Sequence, residues 1–160
     1  MTVYASETRP RLQGARLTAY ELKVLQIPYV VVPDTAVAFL MYRKMVDCAV
    51  VGADRVIART GYVVNKIGTL SAAVNAKHFN IPFYVAAPFS TIDTKHNVEE
   101  VVIEERSEDE VHYVGRTRIT PRGAKALNYA FDITPPELVT SIITEKGVFK
   151  PEELWRFITG

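Results

Sequence analysis

Asp54 is the residue in this sequence whose position best suits proton chemistry. It comes after the apolar run Cys48-Ala49-Val50-Val51 and the small pair Gly52-Ala53, so its carboxylate is expected at the end of a buried strand. A partly dehydrated site would raise its pKa toward the range that a general acid or base needs. A cap, or an ion pair with Arg55, is the plainer reading of the same position. Downstream, Asn65-Lys66 stands just before Gly68-Thr69, where a helix is expected to start. Unpaired N–H groups, partial positive charge and a mobile lysine would suit a phosphate or a sugar hydroxyl there. The simpler alternative is a solvated lysine on a turn. Arg9, Arg11, Gln13 and Arg16 share one strand-to-helix turn. Such a cluster suits an anionic ligand, although Glu7 could pair with one of the arginines.

Other reactive side chains carry less. Cys48 lies in an apolar strand and reads as a small core residue. His78, His96 and His112 lack metal-ligand spacing and read as surface or helix-end residues. Gly14 belongs to no G-x-G-x-x-G fingerprint, so no nicotinamide is indicated and no cofactor is expected. The stretch Glu104 to Glu110 reads as a solvated charge run.

The elements that must position these residues alternate. Val3 to Ser6 reads as a strand, and Ala15, Ala19 and Leu22 mark a helix face that Ile27-Pro28 ends. Tyr29 to Val32 is short and β-branched, as a strand buried on both faces would be. Pro33-Asp34-Thr35 supplies a turn and an N-cap, and Val37, Leu40, Met41 and Met45 line a second helix. Cys48 to Val51 is a third buried strand, succeeded by a hairpin-like excursion around Thr60-Gly61. Leu70, Ala73 and Val74 mark a third helix, stopped by Ile81-Pro82. Phe83 to Ala86 is a fourth strand, leading to Ser90-Thr91-Ile92-Asp93. Val111 to Ile119 holds an extended piece. Leu138, Val139, Ile142 and Ile143 predict a late helix, and Glu152 to Ile158 a terminal one. Strand–turn–helix units in series predict a doubly wound, mostly parallel, three-layer α/β sheet of Rossmann type. In such a sheet, ligands meet the residues just beyond the strands' carboxyl ends.

Composition sets the frame. At 160 residues, 48% hydrophobic and net charge +1, the chain is long enough for a core of its own, and 1–160 reads as one domain. Balanced charge argues against a nucleic-acid footprint. No apolar run long enough for a membrane span and no signal peptide are found, and a single cysteine excludes an internal disulfide, so a cytoplasmic location is expected.

Several strings in order resemble one family. They are Glu7-Thr8-Arg9-Pro10-Arg11-Leu12-Gln13-Gly14-Ala15-Arg16-Leu17-Thr18, Gly52-Ala53-Asp54-Arg55, Asn65-Lys66-Ile67-Gly68-Thr69, Ala87-Pro88-Phe89-Ser90-Thr91-Ile92-Asp93, Ile103-Glu104-Glu105-Arg106 and Ala130-Phe131-Asp132-Ile133-Thr134-Pro135. They resemble 5-methylthioribose 1-phosphate isomerase, whose family also holds ribose 1,5-bisphosphate isomerases and regulatory subunits of a translation-initiation nucleotide exchange factor. The likeness covers the family's C-terminal, Rossmann-like domain.

The resemblance implies an aldose–ketose isomerisation of a phosphorylated pentose in methionine salvage. It makes Asp54 the proton donor to the ring oxygen, and Gln13, Asn65, Lys66 and Arg9 substrate-binding residues. It also implies a homodimer, in which Leu154, Trp155, Phe157 and Ile158 would serve either the interface or the core. Asp54 and the Ser90-Thr91-Ile92-Asp93 string favour the methylthioribose enzyme over the regulatory subunits. Asp34-Thr35-Ala36 and Asn128-Tyr129 depart from the enzyme's pattern. The family's catalytic cysteine lies upstream of where this chain begins, and Cys48 does not inherit its role. The chain alone is therefore expected to lack turnover.

Overall fold

The computed structural model describes all 160 residues. In chain order the elements are β1 (Val3–Ser6), α1 (Ala19–Val24), β2 (Tyr29–Val32), α2 (Val37–Tyr42), β3 (Ala49–Val51), β4 (Arg55–Ile57), β5 (Val63–Lys66), α3 (Thr69–His78), β6 (Phe83–Ala86), β7 (Ile92–Asp93), α4 (Asp109–His112), β8 (Tyr113–Val114), β9 (Thr117–Arg118), β10 (Phe131–Thr134), β11 (Ser141–Thr144), β12 (Gly147–Phe149) and α5 (Leu154–Thr159). They form two compact units: residues 1–39 with 105–129, and residues 40–104 with 130–160. No helix is long and apolar enough to cross a membrane.

In the first unit β1 and β2 pair in parallel, with Val3 opposite Tyr29 and Ser6 opposite Val32. A parallel pair needs a crossover, here a π-helical turn over Gly14–Thr18 running into α1. Buried Ala5 and Ala19 are small enough for helix and strand to approach closely. The 105–129 segment contributes α4 and the β8–β9 hairpin, the extended piece expected between Val111 and Ile119.

The second unit holds two four-stranded sheets. In one, β3, β6 and β11 run parallel, and β12 adds an antiparallel edge. In the other, β4 and β5 form an antiparallel hairpin, β10 extends it beside β5, and β7 lies parallel to β4. The excursion around Thr60-Gly61 is the turn of that hairpin, with the Gly61 amide donating to the Ile57 carbonyl at 2.8 Å. The core gathers Val56, Ile57, Val63, Phe83, Val85, Ile142 and Leu154, all but fully buried. Parallel pairs therefore occur as expected, within a mixed α/β architecture.

Several expectations are corrected. The residues Leu138 to Ile143 form a short 3-10 turn (Pro136–Leu138) and then strand β11. The run Ser141-Ile142-Ile143-Thr144 is rich in β-branched residues, which prefer the pleated backbone when a neighbouring strand is available. β2 and β3 are not buried on both faces: Val30, Val31 and Val50 are 46%, 42% and 59% exposed, and Cys48 is exposed. An apolar run identifies a strand but not which of its faces finds cover. On α3, Ala73 and Ala76 are buried while Val74 points outward, and Met45, beyond the end of α2, is also exposed. His112 is buried, its Nε2 3.4 Å from Glu108 and its Nδ1 2.8 Å from the Thr120 hydroxyl. Leu154 belongs to the core, whereas Phe157 is about half exposed and stacks on Phe149 at 4.6 Å.

Candidate functional site

Asp54 immediately precedes β4, and its amide donates to the Val64 carbonyl at 2.9 Å. The hairpin thereby sets Asp54 beside the end of β5 that carries Asn65 and Lys66. The carboxylate is exposed, so the dehydration expected at the strand end is not supplied by this chain. Nor does Arg55 neutralise it, because the guanidinium reaches Asp93 instead, at 3.3 Å.

Asn65 and Lys66 close β5, and the turn to α3 is internally locked. Asn65 Nδ2 donates to the Thr69 hydroxyl at 2.9 Å, and that hydroxyl donates to the Lys66 carbonyl at 2.7 Å. Gly68 adopts φ 103°, a left-handed conformation that glycine takes without a Cβ penalty. The helix N-terminus, expected to receive a ligand anion, is already occupied. Asp132 on β10 lies opposite Asn65, and its carboxylate accepts the amides of Gly68 (2.8 Å) and Leu70 (3.1 Å). Burial pushes the Asp132 carboxyl above its ordinary value, more than those two amides pull it down. Lys66 extends over the Phe131 ring, 4.7 Å from its centre.

Next to Asp54 opens a shallow recess of about 340 Å³, lined by Asp54, Arg55 and the Ser90–His96 segment. This segment leaves β6 through a 3-10 turn (Phe89–Thr91) and pairs briefly with β4 as β7. Asp93 is the carboxylate it folds around. Burial acts to raise its pKa, but the amides of Lys95 and His96, the His96 ring bond and its charge together outweigh this and hold it at about 2.

In the first unit, the segment after β1 is held by Asp34, placed just past β2. Its carboxylate accepts the Ser6 hydroxyl, the Thr8 amide (2.8 Å) and the Arg9 amide (2.7 Å). Asp34 does not cap its own turn as expected, because Pro33 stands at the cap position without a side-chain bond. Thr8 and Leu12 adopt φ 63° and 62°; a β-branched residue there is strained, and such strain persists only where neighbours enforce it. Gln13 lies in this segment, and its Oε1 is buried without a protein donor. A buried acceptor left unpaired costs about 1–3 kcal/mol, a cost that a ligand donor would remove. Arg9 is differently engaged, donating to the carbonyls of Pro10, Val111 and Tyr113. Arg11 pairs with Glu110 at 2.9 Å, which lowers the Glu110 pKa. The charge run ending at Glu110 is thus structural in part: Asn128 also donates to Glu110, at 3.1 Å.

The sequence neighbourhoods of Asp132, Asp34 and Asp93 do not single them out for these roles. An acid inside the apolar strand Phe131–Thr134 is the one signal that invites attention. The partners of Asp34 come from a pairing that only the fold reveals, whereas Asp93 bonds mainly to residues two and three positions on.

Known proteins share this fold and sequence. Residues 1–151 match the model of the Initiation factor 2 subunit family. A methylthioribose-1-phosphate isomerase of Aquifex aeolicus is 56% identical over 153 residues, covering 95% of this chain and 33% of that protein. Among solved structures, 5-methylthioribose 1-phosphate isomerase from Pyrococcus horikoshii superposes with TM-score 0.92 at 42% identity, covering 99% of this chain and 44% of that one. Translation initiation factor eIF-2B subunit delta from A. fulgidus gives TM-score 0.91 at 48% identity, covering 95% and 44%. The chain spans less than half the length of these relatives. By the reach of the family match and the close agreement in fold, it belongs to the initiation factor 2 subunit family.

Proposed function

We propose that this chain is the substrate-binding and acid-bearing domain of an aldose–ketose isomerase acting on 5-methylthioribose 1-phosphate. The 56% identity to an isomerase of that name is the observation that carries the reading. The hairpin that sets Asp54 beside Asn65 and Lys66 supports it. In this reading the two units correspond to the C-terminal, doubly wound, three-layer domain of longer relatives, and the chain pairs with a second copy.

The substrate explains why an acid is needed. Phosphate on the anomeric oxygen prevents the ring from opening as a free hemiacetal, so the ring oxygen must be protonated as its bond to the first carbon breaks. Asp54 supplies that proton, a hydride passes from the second carbon to the first, and the proton released from the second carbon's hydroxyl returns to Asp54, so no external oxidant is needed. Substrate together with the rest of a complete enzyme would dehydrate the exposed Asp54 carboxylate. Lys66 and Asn65 hold phosphate and hydroxyls in register. Arg9 acts through the segment it braces.

The test compares the 160-residue chain with the same chain completed by the part of the Aquifex aeolicus relative that precedes the matched region. The completed protein is expected to turn over 5-methylthioribose 1-phosphate and the chain alone is not. Asp54→Asn should abolish turnover in the completed protein at unchanged thermal stability. A non-catalytic regulatory subunit is the second reading, favoured by the higher identity to the eIF-2B delta structure than to the isomerase structure. It requires no turnover from the completed protein and indifference to Asp54→Asn. Faster turnover of ribose 1,5-bisphosphate would reassign the substrate.

A further inference from the structure

The Ser90–His96 segment is organised more tightly than a solvated connection requires. One Asp93 oxygen accepts the amides of Lys95 (2.8 Å) and His96 (3.0 Å), while the other accepts His96 Nδ1 at 2.8 Å and faces Arg55 Nη1 at 3.3 Å. The carboxylate is the inner member of the pair: the Asp93 side chain is 13% exposed and that of His96 52%. A carboxylate bound to Nδ1 selects the tautomer protonated at that nitrogen and leaves Nε2 with its lone pair outward. An inner carboxylate holding an outer imidazole in one tautomer is the logic by which histidines are poised toward a reacting partner. His96 and Asp54 line the same recess, together with Ser90, Thr91 and Thr94.

We infer that His96 is a ligand-contacting residue of the Asp54 recess, its Nε2 accepting a hydrogen bond from a pentose hydroxyl, with Asp93 as the residue that positions it. The inference rests on the reading that this recess takes a phosphorylated pentose, and adds a contact which that reading does not need. Arg55 and Lys95 are the cations facing the same pocket, and Asp54 the other anion. Arg55 Nη1 approaches the same Asp93 oxygen that holds the imidazole at Nδ1.

Nuclear magnetic resonance on the 160-residue chain tests this in two steps. Without ligand, the His96 ring nitrogen shifts should report the Nδ1-protonated tautomer, and Asp93→Asn should return the ring toward the Nε2-protonated form with the remaining amide spectrum preserved. A wild-type ring already in the Nε2-protonated form overturns the inference. With 5-methylthioribose 1-phosphate, the His96 ring proton should move in step with the amides of Asn65 and Lys66, while those of His78 and His112 stay still. His96→Gln should weaken binding about tenfold, the worth of one hydrogen bond to a ligand, and Asp93→Asn by a similar factor. If the Asn65 and Lys66 amides move but His96 does not, or His96→Gln binds as wild type, the inference fails and the site reading stands. If neither set moves, both fail.

Discussion

Asp132 stands opposite Asn65 in the β10–β5 ladder and closes the first turn of α3 with its carboxylate. The donors that an anionic ligand would seek at that helix start are therefore spent within the protein. The turn that carries Lys66 and Asn65 is itself braced from two sides, by Asp132 and by Thr69. Removing the brace should be felt in the turn before it is felt in the rest of the fold.

Asp132→Ala is expected to lower stability by about 1 kcal/mol, the usual cost of a lost helix cap, measurable by urea denaturation. The pH dependence has a defined sign. Burial raises the folded pKa above its ordinary value of 3.8, so between those two values the native state binds more protons than the unfolded state. Stability from this group is present at low pH and declines as pH rises through that window. Asp132→Asn should remove that decline.

Asp93 slopes the other way. Its carboxyl is held at about 2 against an ordinary value of 3.8, so on acidification the unfolded chain takes up the proton first. Its contribution, roughly 2 kcal/mol from a shift of this size, is present above ~pH 4 and is lost as pH falls toward ~2. Urea midpoints of wild type and Asp93→Asn should lie apart at neutral pH and converge below pH ~3.

The strands were legible where side-chain chemistry and local pattern agreed. Val3–Ser6, Tyr29–Val32 and Phe83–Ala86 have the boundaries that β-branched and aromatic runs between turns indicate. The β4–β5 hairpin announced itself through Thr60-Gly61. Exposure was not legible: Val50 and Val85 sit in similar apolar runs, one largely open and one fully buried, because burial depends on which elements arrive from elsewhere in the chain. The same holds for the site. Asp54 is singled out by its place after an apolar strand, and Asn65 and Lys66 by theirs just before an expected helix start. The anchoring roles of Asp34 and Asp132 rest on contacts 26 and 62–64 positions away, whereas Asp93 holds the residues two and three positions on.

β11 tests the helix-to-strand correction directly. Ile142 is fully buried and Ile143 is 36% exposed, the alternation of a strand and not of a helix face. Ile142→Ala should cost about 3 kcal/mol, within the usual range for a buried isoleucine, while Ile143→Ala should cost clearly less. Equal losses in thermal melts would argue that both side chains are packed alike, against the β11 pairing.

Gly14 is fixed by a close approach to the end of β1. A Cβ built there would overlap the Ser6 carbonyl oxygen and lie 2.8 Å from the Thr8 hydroxyl. The first obstacle is main chain, and Ser6 is already tied to Val32 by the β1–β2 ladder and to Asp34 by its side chain. Relief would have to come from moving the π-helical turn away from the strand, which would displace Gln13 as well. Gly14→Ala is therefore expected to destabilise by at least about 3 kcal/mol, the upper range for an overpacked site, and to shift the amides of Ser6, Thr8 and Gln13 together. Gly52→Ala is the control, because its Cβ would meet nothing closer than the Ala86 carbonyl at 4.0 Å. That substitution should be neutral or stabilising by up to about 1 kcal/mol, through a less flexible unfolded chain. Comparable losses for the two variants in urea denaturation would show that the Gly14 backbone can retreat from Ser6 at little cost, and would remove the reason for holding Gln13 where it is.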